Sequence, residues 1–126
     1  MSDLYREIIL EEYKHPQNKG VLESHTHSRK EYNPLCGDEI TITLDVREGL
    51  VFDVAWSGKG CAISQASASL FSAHIKGKKV SEVEKMTEKE ILSLLGIELN
   101  PMRMKCAVLV MKATANALLT KQENPK

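Results

Sequence analysis

The chain has 126 residues, 42% of them hydrophobic and 27% charged, and its 17 basic and 17 acidic residues give a formal net charge of zero. These values predict one soluble globular domain over residues 1–126. The neutral charge and the lack of a basic block argue against nucleic-acid binding. The N-terminus has no signal pattern and no apolar run is long enough to span a bilayer, so we expect a cytoplasmic protein that does not bind membranes.

The predicted elements begin with a helix and an edge strand. Ser2 is suited to cap a first helix, and His15-Pro16 is expected to end it. A turn at 18–20 and a polar stretch follow. An edge strand is expected near residues 27–32.

Two alternating segments then predict an antiparallel hairpin. Apolar residues occupy every second position from Ile40 to Val46 and again from Leu50 to Trp56, which is typical of half-buried strands. Glu48-Gly49 between them is expected to form the turn. This alternation assigns both Phe52 and Trp56 to the core.

Helices are predicted for the second half. Small residues over 62–75 favour a helix with Gly77 as its C-cap. Capping boxes beginning at Ser81 and Thr87 predict two short helices, the second ending at Gly96.

The C-terminal part is predicted to be a loop, a helix and a tail. Pro101 marks the loop, and an apolar helix is expected over 104–120. The polar residues 121–126 are expected to form a disordered tail.

The three cysteines carry the chemistry of this sequence. Cys36, Cys61 and Cys106 each lie near the beginning or end of a predicted element, and Asp38 follows Cys36 by two residues. In a reducing cytosol, cysteines serve as metal ligands or reactive groups more often than as disulfides. Three thiolates and one carboxylate oxygen can fill a four-coordinate site, and the weaker oxygen donor makes such a site labile. The spacing alone leaves open three separately buried thiols.

Four segments resemble the IscU/SufU/NifU N-terminal family of iron–sulfur cluster assembly proteins. They are 4–20, Asn33-Pro34-Leu35-Cys36-Gly37-Asp38, the segment 58–67 and Arg103-Met104-Lys105-Cys106-Ala107. The resemblance implies an α+β fold in which a small antiparallel sheet of about three strands carries helices on one face, with the cysteines and the aspartate at one end. It also implies sulfur transfer from a cysteine desulfurase and a transient [2Fe–2S] cluster, or zinc in the same site, with acceptor proteins as further partners.

Carried onto this chain, the resemblance implies that Cys36, Asp38, Cys61 and Cys106 are the ligands of the metal or cluster. The persulfide acceptor is Cys106 by likeness to IscU-type members and Cys36 by likeness to SufU-type members. Both therefore stay candidates for the catalytic thiol.

The chain departs from both subtypes. Lys105 stands where IscU-type members have histidine, and Arg103-Met104-Lys105-Cys106 is similar to the SufU pattern. SufU-type members carry an insertion of about twenty residues before this motif, for which 87–101 leaves no room. Leu99-Asn100-Pro101-Met102-Arg103 matches the chaperone-binding segment only in part, which gives little support to an Hsp70-type chaperone as a partner. Lys105 either stabilises the negative charge of a thiolate or is a solvated surface lysine.

From the sequence and the resemblance we predict a cluster assembly scaffold rather than a true enzyme. The runner-up is a zinc-dependent sulfurtransferase that activates a desulfurase, and the third alternative is a structural zinc domain. The oligomeric state, including a homodimer, is also left open.

Overall fold

The structure, a computed structural model, describes residues 3–34 and 37–119, with side chains described from residue 6 onward. Within these ranges the elements are, in chain order, α1 (Asp3–Lys14), β1 (His27–Asn33), β2 (Asp38–Arg47), β3 (Leu50–Lys59), α2 (Ala62–Ile75), α3 (Val80–Glu84), α4 (Glu88–Leu95) and α5 (Pro101–Leu119). The predicted tail at 121–126 lies outside the described residues. None of the described helices combines the length and apolarity that crossing a membrane demands.

The three strands form one antiparallel sheet in the order β1-β2-β3. β1 pairs with β2 along its whole length, so that Asn33 lies opposite Asp38. A two-residue turn joins β2 to β3, and both of its residues have positive φ, 52° at Glu48 and 78° at Gly49. Turns of this kind match the twist of the flanking strands, which is why the Glu-Gly pair forms a tight hairpin. The predicted α+β fold with a small antiparallel sheet is confirmed.

Several predicted boundaries agree closely with the structure. The helix predicted over 62–75 is α2, and the edge strand predicted near 27–32 is β1. Thr87 is the N-cap of α4, and Gly96 ends it in the left-handed conformation with φ 75°. Gly77, predicted as the C-cap of α2, lies one residue beyond Lys76, which takes that position.

One predicted core residue is wrong, because β3 carries a bulge. Asp45 pairs with Asp53 but Val46 pairs with Val51, so Phe52 is an extra residue without a partner on β2. An extra residue reverses the alternation of side chains on one side of the bulge. Trp56 is therefore fully buried, as predicted, whereas Phe52 is 54% exposed.

Two predicted helix starts are also wrong. α3 begins at Val80 with Lys79 as its N-cap, so Ser81 lies inside the helix. Pro101 is the first residue of α5, where its missing N–H costs nothing, and does not mark a loop. Asn100 caps α5 instead, since its Oδ1 accepts a hydrogen bond from the backbone N–H of Arg103 at 2.9 Å.

Helices α2 and α5 pack on one face of the sheet and on each other. The largest fully buried side chains include Ile40, Ile42, Trp56 and Phe71, each with no exposed surface. Because β2 and β3 are antiparallel, the start of β2 and the end of β3 meet at one end of the sheet, where Glu39 pairs with Lys59. α2 begins at this same end, so the fold gathers three chain segments there.

Candidate metal and cluster site

Cys61 is the residue that joins β3 to α2. It is the N-cap of α2, with the extended backbone angles φ −73° and ψ 169°. Its carbonyl accepts hydrogen bonds from the backbone N–H of Gln65 at 3.1 Å and from Ser64 Oγ at 3.0 Å. The thiol is half-buried and lies at the N-terminal end of α2.

The glycine before Cys61 lets the chain approach Asp38. Gly60 has φ 154°, and a Cβ built there would lie 2.6 Å from Ser64 Oγ and closer still to the Asp38 carboxylate. Any side chain at this position would collide with the neighbours of the cysteine. The glycine therefore permits the close packing of the β3–α2 junction against the start of β2.

Asp38 is the first residue of β2 and is 1% exposed. Its Oδ1 accepts a hydrogen bond from the backbone N–H of Cys61 at 3.1 Å. Its Oδ2 is buried and has no hydrogen-bond partner among the described residues. An ionised carboxylate oxygen in this position is costly unless a cation or donor reaches it. The arrangement fits a carboxylate that ligates a metal.

Cys106 enters the site from α5 and is fully buried. Its Sγ lies 3.8 Å from Asn33 Nδ2 and 3.8 Å from the carbonyl oxygen of Met102. The sequence placed this cysteine near a helix start, but α5 begins at Pro101, so Cys106 lies in its second turn. The helix dipole acts mainly within the first turn and adds little here.

The structure brings Asp38, Cys61 and Cys106 together. One ligand atom from each lies within 4.8 Å of the other two. Neighbouring ligand atoms on a tetrahedral zinc lie about 3.5–4 Å apart, so a small inward movement would complete such a geometry. Two thiols and a carboxylate are a donor set for zinc or iron rather than for magnesium or calcium.

Cys36, the remaining predicted ligand, lies outside the described residues. The described residues on either side of it do reach the group. Asn33 contacts Cys106, and Gly37 N–H donates to the Asn33 carbonyl at 2.8 Å, directly before Asp38. The assignment of Cys36 as a ligand stays a prediction.

Arg103 is a residue of the site that the sequence did not single out. Its pKa is raised, first by the charge of Cys61 and then by a hydrogen bond with Cys106, which places the guanidinium beside both thiols. Lys105, the residue considered for this role, instead lines a groove of about 300 Å³ with Pro34 and Lys112. The sequence signal for this role was the three-residue spacing of Arg103 and Cys106. Two residues at this spacing lie on one helix face only if the helix starts before Arg103.

The serines that follow Cys61 have structural partners. Ser64 bonds the Cys61 carbonyl, Ser67 donates to the carbonyl of Ala107, and Ser69 donates to Glu12 Oε1 at 2.6 Å. The Ser67 contact ties α2 to α5 at the residue after Cys106. Ser64 and Ser67 thus hold the segments that carry the two thiols.

A family model for the NifU-like N-terminal domain matches residues 4–125 of this chain. Among curated relatives, the zinc-dependent sulfurtransferase SufU of Bacillus subtilis (strain 168) is 35% identical over 130 residues, covering 90% of this chain and 88% of the relative. The iron–sulfur cluster assembly scaffold protein IscU of Thermotoga maritima is 36% identical over 131 residues, covering 91% and 92%.

A solved structure shows the same architecture. It is that of a proposed iron–sulfur cluster assembly scaffold protein for the SUF system from Fervidobacterium islandicum AW-1. The two chains superpose with a TM-score of 0.79 at 28% sequence identity, over 94% of this chain and 99% of that one. The similarity therefore extends over nearly the whole chain in both sequence and fold.

Proposed function

Because the chain belongs to the family of NifU-like N-terminal domains, we propose that it is an iron–sulfur cluster assembly scaffold. In this role it accepts sulfur from a cysteine desulfurase, assembles a [2Fe–2S] cluster as its cargo and passes that cluster to acceptor proteins. The observation that carries the proposal is the convergence of Asp38, Cys61 and Cys106, with one buried carboxylate oxygen unpartnered among the described residues.

The ligands in this proposal are Cys36, Asp38, Cys61 and Cys106. Asp38 is the exchangeable one, because a carboxylate oxygen binds a soft metal less tightly than a thiolate does. Its environment supports this role, since Oδ1 is held by Cys61 N–H while Oδ2 keeps its lone pairs for a metal. A site that must release its contents benefits from one weak ligand.

Sulfur arrives by thiol–disulfide chemistry. A thiolate of this chain attacks the outer sulfur of the persulfide on the desulfurase, the S–S bond of that persulfide breaks, and the desulfurase cysteine leaves as a thiolate. The new S–S bond makes a persulfide on this chain. Cys106 and Cys36 are the two candidate acceptors. Cys106 is fully buried, so as an acceptor it would require the chain around the start of α5 to open.

The acceptor can be identified by single substitutions. Cys36→Ser and Cys106→Ser variants are incubated with desulfurase and cysteine, and the mass gain of one sulfur atom is measured by intact-protein mass spectrometry. The variant that lacks the acceptor stays at its starting mass. If both variants gain the sulfur, neither thiol is the obligatory acceptor.

A second function is favoured by one comparison. The 35% identity to a zinc-dependent sulfurtransferase, together with the Arg103–Cys106 motif, supports a colourless zinc protein that activates a desulfurase without holding a cluster. The short connection between α4, which ends at Leu95, and α5, which begins at Pro101, counts against it, because the insertion expected of SufU-type members has no room there.

Metal and sulfide content separate the two functions. The protein is purified and reconstituted without oxygen, and iron, zinc and acid-labile sulfide are measured with the visible absorbance. A scaffold gives a coloured protein with about equal iron and sulfide. A colourless protein with one zinc, which stimulates desulfurase turnover, would contradict the scaffold function and support the sulfurtransferase.

The role of Asp38 is tested by cluster release. We expect Asp38→Ala to slow transfer of the cluster to an acceptor, because the exchange path is removed. Asp53→Ala, at a carboxylate 3.3 Å from Lys76 Nζ, is the matched control and should transfer at the wild-type rate. Transfer from Asp38→Ala as fast as from wild type would show that Asp38 is not the exchangeable ligand.

A further inference from the structure

A concavity of about 380 Å³ lies on the flank of the metal and cluster site. Its lining is Tyr13, Lys19, Gly58, Lys59, Gly60 and Gln65, so among the described residues it has no acidic side chain. It borders the site but is separate from it, because the Gly60 backbone packs directly against the Asp38 carboxylate.

Its two lysines have no carboxylate partner in the described part of the chain. Lys19 Nζ lies 3.4 Å from Gln65 Oε1 and 5.3 Å from the centre of the Trp56 ring, and both of these partners are neutral. Glu39, which lies opposite Lys59 in the sheet, has its carboxylate 3.7 Å from Lys30 Nζ. On a chain of zero net charge, this concavity thus concentrates positive charge.

Gln65 adds a neutral donor that lacks an acceptor. The residue is 5% exposed, and its Nε2 is buried with no hydrogen-bond partner among the described residues. A buried N–H without an acceptor is unfavourable. Its amide oxygen accepts a long hydrogen bond of 3.4 Å from Lys19 Nζ, and the residue lines the concavity, so both lysine and amide donors border this space.

We propose that this concavity binds a small oxyanion of the carboxylate or phosphate class. Lys19 and Lys59 are the charged donors, and Gln65 and Tyr13 are the neutral ones. Hydrogen bonds from ammonium groups to oxyanions are about twice as strong as those between neutral groups, which gives the site preference for an anion. The proposal goes beyond cluster assembly and needs no metal in the neighbouring site.

The test is a titration of the full chain followed by amide NMR. Sodium phosphate and sodium acetate are added in separate series at constant ionic strength, with sodium chloride as the reference anion. We expect saturable shifts of the amide signals of residues 19, 58–60 and 65. Saturation by phosphate alone, by acetate alone or by both assigns the class of oxyanion, and saturation by neither contradicts the proposal.

Variants decide whether the binding belongs to this concavity. Lys59→Ala should weaken binding about tenfold, since it removes one charge-assisted hydrogen bond. Lys89→Ala removes an exposed lysine on α4 and should bind as wild type does. Gln65→Met gives a second test that leaves both lysines in place. Shifts that chloride reproduces, or saturation that Lys59→Ala leaves unchanged, would overturn the proposal.

Discussion

Arg103 and Lys105 are two residues apart, but Arg103 interacts with the two thiols whereas Lys105 lines the groove beside Pro34 and Lys112. We expect Arg103→Ala to lower zinc affinity about tenfold, as is typical when a residue that supports metal ligands is lost. Lys105→Ala is the charge-matched control and should change the affinity less than about threefold. Competition with a chromophoric chelator at pH 7 measures both. Equal losses in the two variants would show that overall positive charge, rather than the position of Arg103, supports the site.

Gly60 is the second residue whose role can be tested directly. Gly60 and Gly77 both have positive φ, but a Cβ at Gly77 would meet nothing within 4 Å, whereas one at Gly60 would collide with Ser64 and Asp38. Gly77→Ala should therefore cost only backbone strain, about 1–3 kcal/mol. Gly60→Ala should destabilise the metal-free chain further and also weaken zinc binding. Urea denaturation and zinc competition measure these effects, and similar results for the two variants would contradict the close packing at Gly60.

The sequence could single out individual residues where the residue type itself implies a chemistry, such as metal ligation. Cysteines beside glycines and an aspartate two residues from Cys36 predict ligands before any fold is known, and the structure brings Asp38, Cys61 and Cys106 together. Arg103 was missed because its role depends on geometry. Only a helix that begins at Pro101 places its guanidinium on the same face as Cys106, and the sequence pattern placed the helix start too late.

At the scale of elements, the bulge in β3 leads to a testable difference between two phenylalanines. Phe52 is 54% exposed and lies against Arg47, whose guanidinium carbon is 3.9 Å from the ring centre, whereas Phe71 is fully buried. Phe71→Ala should cost about 3–5 kcal/mol of unfolding free energy, and Phe52→Ala less than about 1 kcal/mol. Denaturant unfolding measures both, and a large loss in Phe52→Ala would mean that Phe52 is part of the core.

Whether an element was predicted correctly depended on the kind of sequence signal that it carries. The α2 helix was found with correct ends because a glycine-rich segment precedes it and small residues fill it. The bulge was missed because every second residue from Leu50 to Trp56 is compatible with one buried face. Pairing with β2 determines which residue of β3 is the extra one. That pairing is a contact between two strands, and the periodicity of a single strand carries no information about it.

At the scale of the whole molecule, the site depends on contacts between distant segments. Asp38 comes from β2, Cys61 from the cap of α2 and Cys106 from α5. No local pattern predicts that these three segments meet, and the resemblance of the motifs to a known family supplied that expectation. The structure accounts for it physically, since the antiparallel pairing of β2 and β3 and the packing of α2 on α5 leave their ends together.

We propose that the described residues fold as one unit whose core does not need the metal. The buried apolar residues of β2, β3, α2 and α5 form one cluster whose members do not include Asp38, Cys61 or Cys106. A metal that binds only the folded chain should add about 4 kcal/mol of stability at a free concentration a thousand times its dissociation constant. Removing it with a chelator should lower the melting temperature while the far-UV circular dichroism spectrum and a single cooperative transition persist. Asp38→Ala should show a smaller drop than wild type, because less binding energy is lost. A chelated wild-type chain that loses its helical signal at 25 °C would instead identify a structural zinc domain, in which folding itself requires the metal.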